Sequence, residues 1–220
     1  ASVTNEVVKL YKAAHAVGDD VDDPSTDVSW TAYTIDAAYH DRFDDDGGAS
    51  PIEVQAVKVV VADLDGDDKL DVLYADDKTG VVGWSAQPAD VTSASDWGSS
   101  LTIDYDATNK AKWVVAADFD GDDNVDVVAA TTTGTILLYE NNGDSPVTWT
   151  ERTPLCSASC PAVVSVEVFD IDGDQDLDVL ASVEDADEIR WWQNNGNWAF
   201  ASSEAVEDRA GDDDITINKA

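Results

Sequence analysis

The sequence predicts an all-β protein built from one repeated four-stranded antiparallel unit. Three acidic segments of one pattern recur along the chain of 220 residues: "DLDGDDKLD" from Asp63, "DFDGDDNVD" from Asp118 and "DIDGDQDLD" from Asp170. Segments that alternate apolar and polar residues at a period of two flank each of them. Such alternation, with many Val and Leu residues, is typical of strands rather than helices.

Each predicted unit starts with an apolar strand and runs through its acidic segment into a second strand. The first strands are "VKVVVA", "KWVVAA" and "VSVEVF", and the second strands are "LDVLYA", "VDVVAA" and "LDVLAS". A third strand ends on an aromatic residue at a matched distance from the acidic segment, namely Trp84, Tyr139 and Trp192. A fourth follows after a turn, at "SLTIDY", "VTWTERT" and "NWAFASS". Repeats of about 50 residues with this content predict the blades of a β-propeller, with the aromatic residues packed between blades.

The two ends of the chain predict parts of one further blade, so that the array has about four blades. Within a single β-propeller-like domain, 1–220, the predicted parts are a partial N-terminal blade with acidic loops at 1–49, three blades at 50–105, 106–155 and 156–205, and a C-terminal strand within 206–220. The last strand, "DITINKA", completes either the partial blade or that of a neighbouring molecule, because an unpaired strand edge accepts another strand. We favour ring closure within one chain.

The spacing of the carboxylates predicts three calcium sites. Carboxylates crowded this closely repel one another unless a cation binds them, and calcium accepts about six to eight oxygen ligands in irregular geometry. Glycine at the fourth position allows the positive φ that such a tight turn requires. The predicted ligands are the side chains of Asp63, Asp65, Asp67, Asp71, Asp118, Asp120, Asp122, Asp126, Asp170, Asp172, Asp174 and Asp178, together with the seventh-position carbonyls of Lys69, Asn124 and Asp176.

Other readings of the acidic segments fit less well. The twelfth positions are Tyr74, Ala129 and Ala181, so the bidentate glutamate of an EF-hand is absent. Magnesium demands a stricter octahedron and keeps its waters. Plain acidic hairpin turns would use Asp and Gly for turn geometry alone, but three copies of one pattern favour calcium.

The motif D-x-D-G-D-x-x-x-D between two apolar strands resembles the FG-GAP/VCBS repeat of integrin-α-like calcium-binding β-propellers. The resemblance covers about residues 50–205. It implies a structural calcium ion in the hairpin between the first two strands of each blade. Integrin-like propellers have more blades than this chain has material for, which leaves a small four-bladed ring, an open arc or an assembly completed by other chains.

Charge and cysteines bear on partners and location. The chain has 47 acidic and 12 basic residues, a formal net charge of −35, which disfavours nucleic acid or an anionic membrane as a partner. No apolar run approaches the roughly 20 residues that span a bilayer, so membrane insertion is not predicted. Cys156 and Cys160 predict a local disulfide, which indicates an oxidising compartment. We therefore expect a secreted protein with a processed N-terminus, located outside the cell or at its surface.

The leading functional hypothesis is an extracellular, calcium-stabilised structural or adhesive protein. Strand exchange through the end strands would assemble it into oligomers or fibres, and a cell-surface protein or glycan would be a further partner. The alternative is a calcium-dependent lectin that binds glycans through exposed aromatic residues, with Trp97 and Trp191 as candidates because both fall outside the repeat phase. A fragment of a larger secreted enzyme or receptor is a third hypothesis. No catalytic activity is predicted, because no catalytic set has support from spacing.

Overall fold

A computed structural model of the chain describes residues 8–14, 29–36, 56–91, 97, 101–156 and 163–208. These residues form an N-terminal hairpin, β1 (Val8–Ala14) and β2 (Ser29–Asp36), and three sheets. The first sheet contains β3 (Ala56–Ala62), β4 (Asp71–Asp76), β5 (Val81–Ser85) and β6 (Leu101–Tyr105); the second contains β7 (Ala111–Ala117), β8 (Asp126–Thr131), β9 (Ile136–Asn141) and β10 (Trp149–Cys156); the third contains β11 (Val163–Phe169), β12 (Asp178–Val183), β13 (Glu188–Trp192) and β14 (Glu204–Asp208). One 3-10 turn, Glu184–Ala186, joins β12 to β13.

Each of the three sheets is a four-stranded antiparallel meander in which strands adjacent in sequence are adjacent in space. The predicted all-β class and four-stranded units are therefore confirmed. Near the N-terminus, β1 and β2 pair antiparallel in a hairpin of their own. In the part of the chain that the structure describes, no helix is long and apolar enough to cross a membrane.

The three sheets stack face to face, with one apolar core between each consecutive pair. In β8, Val127 and Ala129 belong to the core shared with the first sheet, whereas Val128 and Ala130 belong to the core shared with the third. This division follows from the period-two alternation of side chains in a strand. The first strand of each later sheet lies against the sheet before it, since β7 contacts β3 and β4, and β11 contacts β7 and β8.

The fourth strand of the third sheet differs from the prediction. The segment "NWAFASS" was expected to form it, but β14 is Glu204–Asp208, and the predicted boundary between 156–205 and 206–220 cuts through this strand. Asn197 and Trp198 adopt positive φ values of 49° and 63°, which end any extended run there. The resulting turn places the Trp198 ring on the ring of Phe119, with centroids 5.5 Å apart. Residues 209–220 lie outside the described part, so the C-terminal strand stays a prediction.

The aromatic residues of the third strands are not equivalent in register. Trp84 pairs with Leu73 and packs towards the second sheet, whereas Tyr139 pairs with Val127 and packs towards the first. The hairpin between β8 and β9 is one residue shorter than that between β4 and β5, and a slip of one residue moves a side chain to the opposite face. The expectation that these residues pack between blades is correct, but the expected equivalence is wrong.

Candidate metal centres

The three acidic loops, residues 63–71, 118–126 and 170–178, are the first, second and third loops below. In the first loop, both side-chain oxygens of Asp63 accept backbone hydrogen bonds: Oδ1 from Gly66 N at 2.8 Å and Asp67 N at 3.1 Å, and Oδ2 from Asp68 N at 2.8 Å. Asp118 accepts bonds from all three corresponding amides of the second loop. Asp170 accepts two, from Gly173 N and Gln175 N, while Asp174 N donates to Asp172 Oδ1. The first carboxylate of each loop thus holds the following backbone in a tight turn around its own side chain.

The glycine at the fourth position of each loop is required by conformation, not by space. Gly66, Gly121 and Gly173 have φ values of 72°, 76° and 84°, as predicted. A Cβ atom at any of the three would meet nothing within 4 Å. Only the strain of the left-handed region therefore selects glycine at this position.

The aspartate at the ninth position of each loop is fully buried and braces the loop against the third strand. Asp126 Oδ2 accepts a bond from Phe119 N at 2.9 Å, and its Oδ1 accepts one from Asn141 N at 2.9 Å. Asp71 and Asp178 are bonded in the same way to their own loops and third strands. All three have an exposed fraction of 0%. The sequence predicts this residue only as a metal ligand, and its role in fixing the backbone was not foreseen.

Burial also changes the acidity of the loop carboxylates. Burial raises the pKa of Asp126 to about 7, although its two backbone donors oppose the shift. Burial likewise raises the pKa of Asp71 and of Asp65, and the neighbouring Asp67 carboxylate adds to the rise at Asp65. Each of these shifts reflects a carboxylate for which a negative charge is unfavourable in the absence of a compensating cation.

Each loop brings three of its four predicted carboxylate ligands together. The sets are Asp63, Asp65 and Asp71 in the first loop, Asp118, Asp120 and Asp122 in the second, and Asp170, Asp172 and Asp178 in the third. Within each set, one carboxylate oxygen from each residue lies within 4.8 Å of the others. Several oxygens around one point are the arrangement that a hard divalent cation uses. Asp67, Asp126 and Asp174 are outside these sets.

Asp120 in the second loop carries the clearest sign of a missing positive charge. Its Oδ2 accepts a hydrogen bond from Trp198 Nε1 at 3.1 Å. Its Oδ1 is buried and, among the residues described, has no hydrogen-bond partner. A buried carboxylate oxygen without a donor is costly, and a bound cation would remove that cost. The residues of this loop therefore fit a metal ion.

The seventh-position residues contact the fifth-position carboxylates through their side chains. Lys69 Nζ pairs with Asp67, and Asn124 Nδ2 donates to Asp122 Oδ2 at 2.8 Å. The Lys69 bond lowers the pKa of Asp67. The predicted role of the seventh-position carbonyls as ligands stays a prediction.

Two asparagines that were not predicted as site residues connect the first and second loops to the next sheet. Asn141, at the end of β9, donates from Nδ2 to Leu64 O of the first loop at 2.9 Å, and Asn194 donates in the same way to Phe119 O of the second loop at 3.1 Å. Both are almost fully buried, with exposed fractions of 3% and 0%. The sequence signal was present, because "NNG" follows the third strand in both repeats. We call these contacts the asparagine clamps.

The two tryptophans proposed for glycan binding do not form an exposed pair. Trp97 is 3% exposed and packs on Val72, so the expectation that it is exposed is wrong. Trp191 is half-buried and pairs with Leu180, in register with Trp84 rather than outside the repeat phase. Cys156 is buried at the end of β10, and Cys160 lies outside the described residues, so their disulfide stays a prediction.

Comparison with known proteins gives one family. The sequence profile described as FG-GAP-like repeat matches residues 118–181, a segment that starts at the second loop, includes the third loop and ends within β12. A search of curated proteins found no match. The resemblance predicted from the acidic motif is confirmed over this segment.

Proposed function

Because residues 118–181 belong to the FG-GAP-like repeat family, we propose that the protein is a calcium-stabilised structural or adhesive module of the β-propeller type that acts outside the cell. It has no catalytic role in this proposal. Its loops hold calcium as a structural ion, and its sheets present the surfaces that bind other molecules. The observation that carries the proposal is the donorless, buried Oδ1 of Asp120 within a set of three carboxylates.

The carboxylate sets assign the ligands in each loop. The first- and third-position aspartates serve in all three loops; the ninth position joins them in the first and third loops, and the fifth in the second. Calcium would supply the positive charge that these crowded groups require, and the brace from the ninth-position aspartate would transmit its stabilisation to the third strand. Three ions offset only a small part of the net charge of −35, so most of the acidity serves solubility in a salty medium.

The stacking of the sheets supports the propeller type. Each sheet packs face to face on the next through its inner strands, which is how neighbouring blades meet in a propeller. Three sheets of four strands and the N-terminal hairpin supply material for about four blades. Calcium ions and the proposed disulfide are both favoured outside the cell, which supports a secreted location.

Thermal unfolding of the purified protein with calcium and with a chelator tests the proposal. Binding at a free calcium concentration of about 100 times Kd stabilises the folded state by about 2.7 kcal/mol per site, and each kcal/mol shifts Tm by roughly 2–4 °C at this chain length. We expect chelation to lower Tm accordingly and Asp65→Ala to reproduce about one site's share of that loss. Asp77→Ala, an exposed aspartate in the turn after β4, is the matched control. Identical melts with calcium and chelator would refute structural calcium sites.

Terbium luminescence assigns one of the sites directly. Terbium replaces calcium in such loops and emits when a nearby tryptophan is excited, and Trp198 lies 3.1 Å from Asp120. We expect Trp198→Phe to abolish most of the emission from the second loop while calorimetry still counts the same number of calcium ions. Emission that is unchanged in Trp198→Phe would place the bound ion elsewhere.

A further inference from the structure

The third sheet has an open face where the first two sheets are covered, and this face is apolar apart from the exposed Glu167 that pairs with Leu180. The second residue of each loop shows the difference: Leu64 and Phe119 are 1% and 2% exposed, whereas Ile171 is 42% exposed. Leu64 and Phe119 are covered because the next sheet packs over them and its asparagine clamps their carbonyls. Within the described residues, no clamp reaches the carbonyl of Ile171.

The strands of the third sheet continue this open face. Phe169, at the end of β11, is 56% exposed, although its counterparts Ala62 and Ala117 pack against the cores between sheets. Leu180 and Trp191, the partners of one ladder pair, lie on the same side and take no part in the core shared with the second sheet. We call Phe169, Ile171, Leu180 and Trp191 the open face.

The first sheet has the complementary surface at the other end of the stack. Val114 of β7 and Val166 of β11 are 0% exposed because each packs on the preceding sheet. Their counterpart in β3, Val59, is 44% exposed, and Val61 on the same side is 56% exposed. We call Val59 and Val61 the β3 face. The same side of the first strand covers the preceding sheet in β7 and in β11.

The first sheet also carries the residue that would complete the missing clamp. Gln87 occupies the position of Asn141 and Asn194, because its backbone N donates to the ninth-position Asp71, as theirs do to Asp126 and Asp178. In the part of the chain that the structure describes, its side-chain amide has no hydrogen-bond partner. The first sheet therefore has a glutamine, with a side-chain amide that no described residue bonds, at the position where the other two sheets have their clamp asparagines.

We propose that the open face binds the β3 face of a second copy of this chain, head to tail. The two interfaces inside the chain provide the template: Val59 and Val61 would lie on β11 and β12 as Val114 lies on the first sheet, and the Gln87 amide would donate to Ile171 O. The contact uses different surfaces on the two copies, so it generates a closed ring if the rotation between copies closes and an open series of molecules if it does not. Trp97 packs on Val72, the cross-strand partner of Val61, so the part of this face on β4 is already covered and the second copy would contact the exposed valines of β3 beside it.

This inference extends the proposed structural role and rests on it, but it concerns sheet faces rather than the exchange of end strands. Copies with a net charge of −35 repel one another, so the association requires screening salt or bound calcium. The assembly should therefore grow with ionic strength, whereas contacts held by surface ion pairs would weaken.

Light scattering of the full chain in calcium and about 1 M salt, where the Debye length is about 3 Å, tests the inference. We expect the mass to rise with protein concentration above that of the monomer. Val59→Asp and Phe169→Asp should each reduce the protein to a monomer, because each places a charge in the interface. An equimolar mixture of the two variants should form a dimer and nothing larger, since each variant retains the face that the other has lost.

Leu101→Asp is the matched control, because Leu101 is 50% exposed on β6, the outermost strand of its sheet. This variant should assemble like the unmodified protein. A protein that stays monomeric at every concentration would overturn the proposal and indicate that the chain's own N-terminal residues cover both faces. A mixture of Val59→Asp and Phe169→Asp that stays monomeric, with both variants melting as the parent does in calcium, would overturn it too. Neither result bears on the calcium melts, so the two proposals fail separately.

Discussion

The first two acidic loops and the third share most of their internal hydrogen bonds but differ in what lies against them. Among their backbone amides, the one at the fifth position differs, because it donates to the first aspartate in the first two loops and to Asp172 in the third. In all three, the first aspartate accepts loop amides and the ninth is buried with two backbone donors. In the first two, the next sheet buries the second-position side chain and clamps its carbonyl. In the third, Ile171 remains 42% exposed. The loop conformation is therefore local, whereas its shielding from water is supplied by the following sheet.

The largest expected effect comes from truncating the second-position side chain in a covered loop. Leu64→Ala removes a side chain that is 1% exposed and leaves a cavity, which costs about 2–5 kcal/mol of unfolding free energy. Ile171→Ala removes a partly solvated side chain and should cost less than about 1 kcal/mol. Urea unfolding of the monomeric protein in calcium measures both. Equal losses would show that the third loop is covered in solution.

A smaller effect is expected from removing a clamp. Asn141→Ala leaves the buried Leu64 carbonyl without its donor, which costs about 1–3 kcal/mol. Gln87→Ala, at the equivalent position of the first sheet, should change the stability of the monomer by less than about 0.5 kcal/mol, because the Gln87 amide is unengaged there. The same urea titrations, made at low protein concentration, compare the two. A neutral Asn141→Ala would mean that packing alone joins the sheets.

A third effect is a pH dependence that weakens when calcium is bound. In the unfolded chain Asp126 has its ordinary pKa of 3.8, whereas burial raises its folded pKa to about 7. Between these values the folded state binds the extra proton, so stability in chelator should fall as pH rises from about 4 to about 7. With calcium, the positive charge of an ion in the second loop favours the ionised form of Asp126, so the fall in stability with pH should be smaller.

Melts at several pH values, with and without calcium, measure this difference. Asp126→Asn cannot titrate at this position and should flatten the part of the slope that appears in chelator. A slope in chelator that is the same in Asp126→Asn and in the parent would assign the pH dependence to the general excess of acidic residues instead.

Most of the fold was predictable because its signals are local. Alternating strands, the positive φ of Gly66 and its counterparts, and the four-stranded units all follow from short stretches of sequence. The wrong equivalence of Trp84 and Tyr139 arose from one residue of hairpin length, which spacing measured from the loop does not reveal. The fourth strand does not form at "NWAFASS", because the ring of Trp198 stacks on Phe119, a residue of the previous sheet.

The residues of the site were predictable, but their separate roles as metal ligands, brace and clamp were not. The regular spacing of carboxylates indicated a cation, and three of four in each loop do converge. The bracing role of Asp126 and the clamp of Asn141 depend on contacts between residues 15 and 77 positions apart, which no local pattern specifies. The burial of Trp97 is of the same kind, because it depends on packing against Val72, 25 positions earlier in the chain.

The clamps also have a fixed order of synthesis. Asn141 lies 77 residues after Leu64, and Asn194 lies 75 residues after Phe119, so each donor is always translated later than its acceptor. On the ribosome, each of these two loops is synthesised before the asparagine that donates to it. Neither of the first two loops can therefore be clamped until the next unit has been translated, and a chain cut after the second unit would lack the donor for the Phe119 carbonyl.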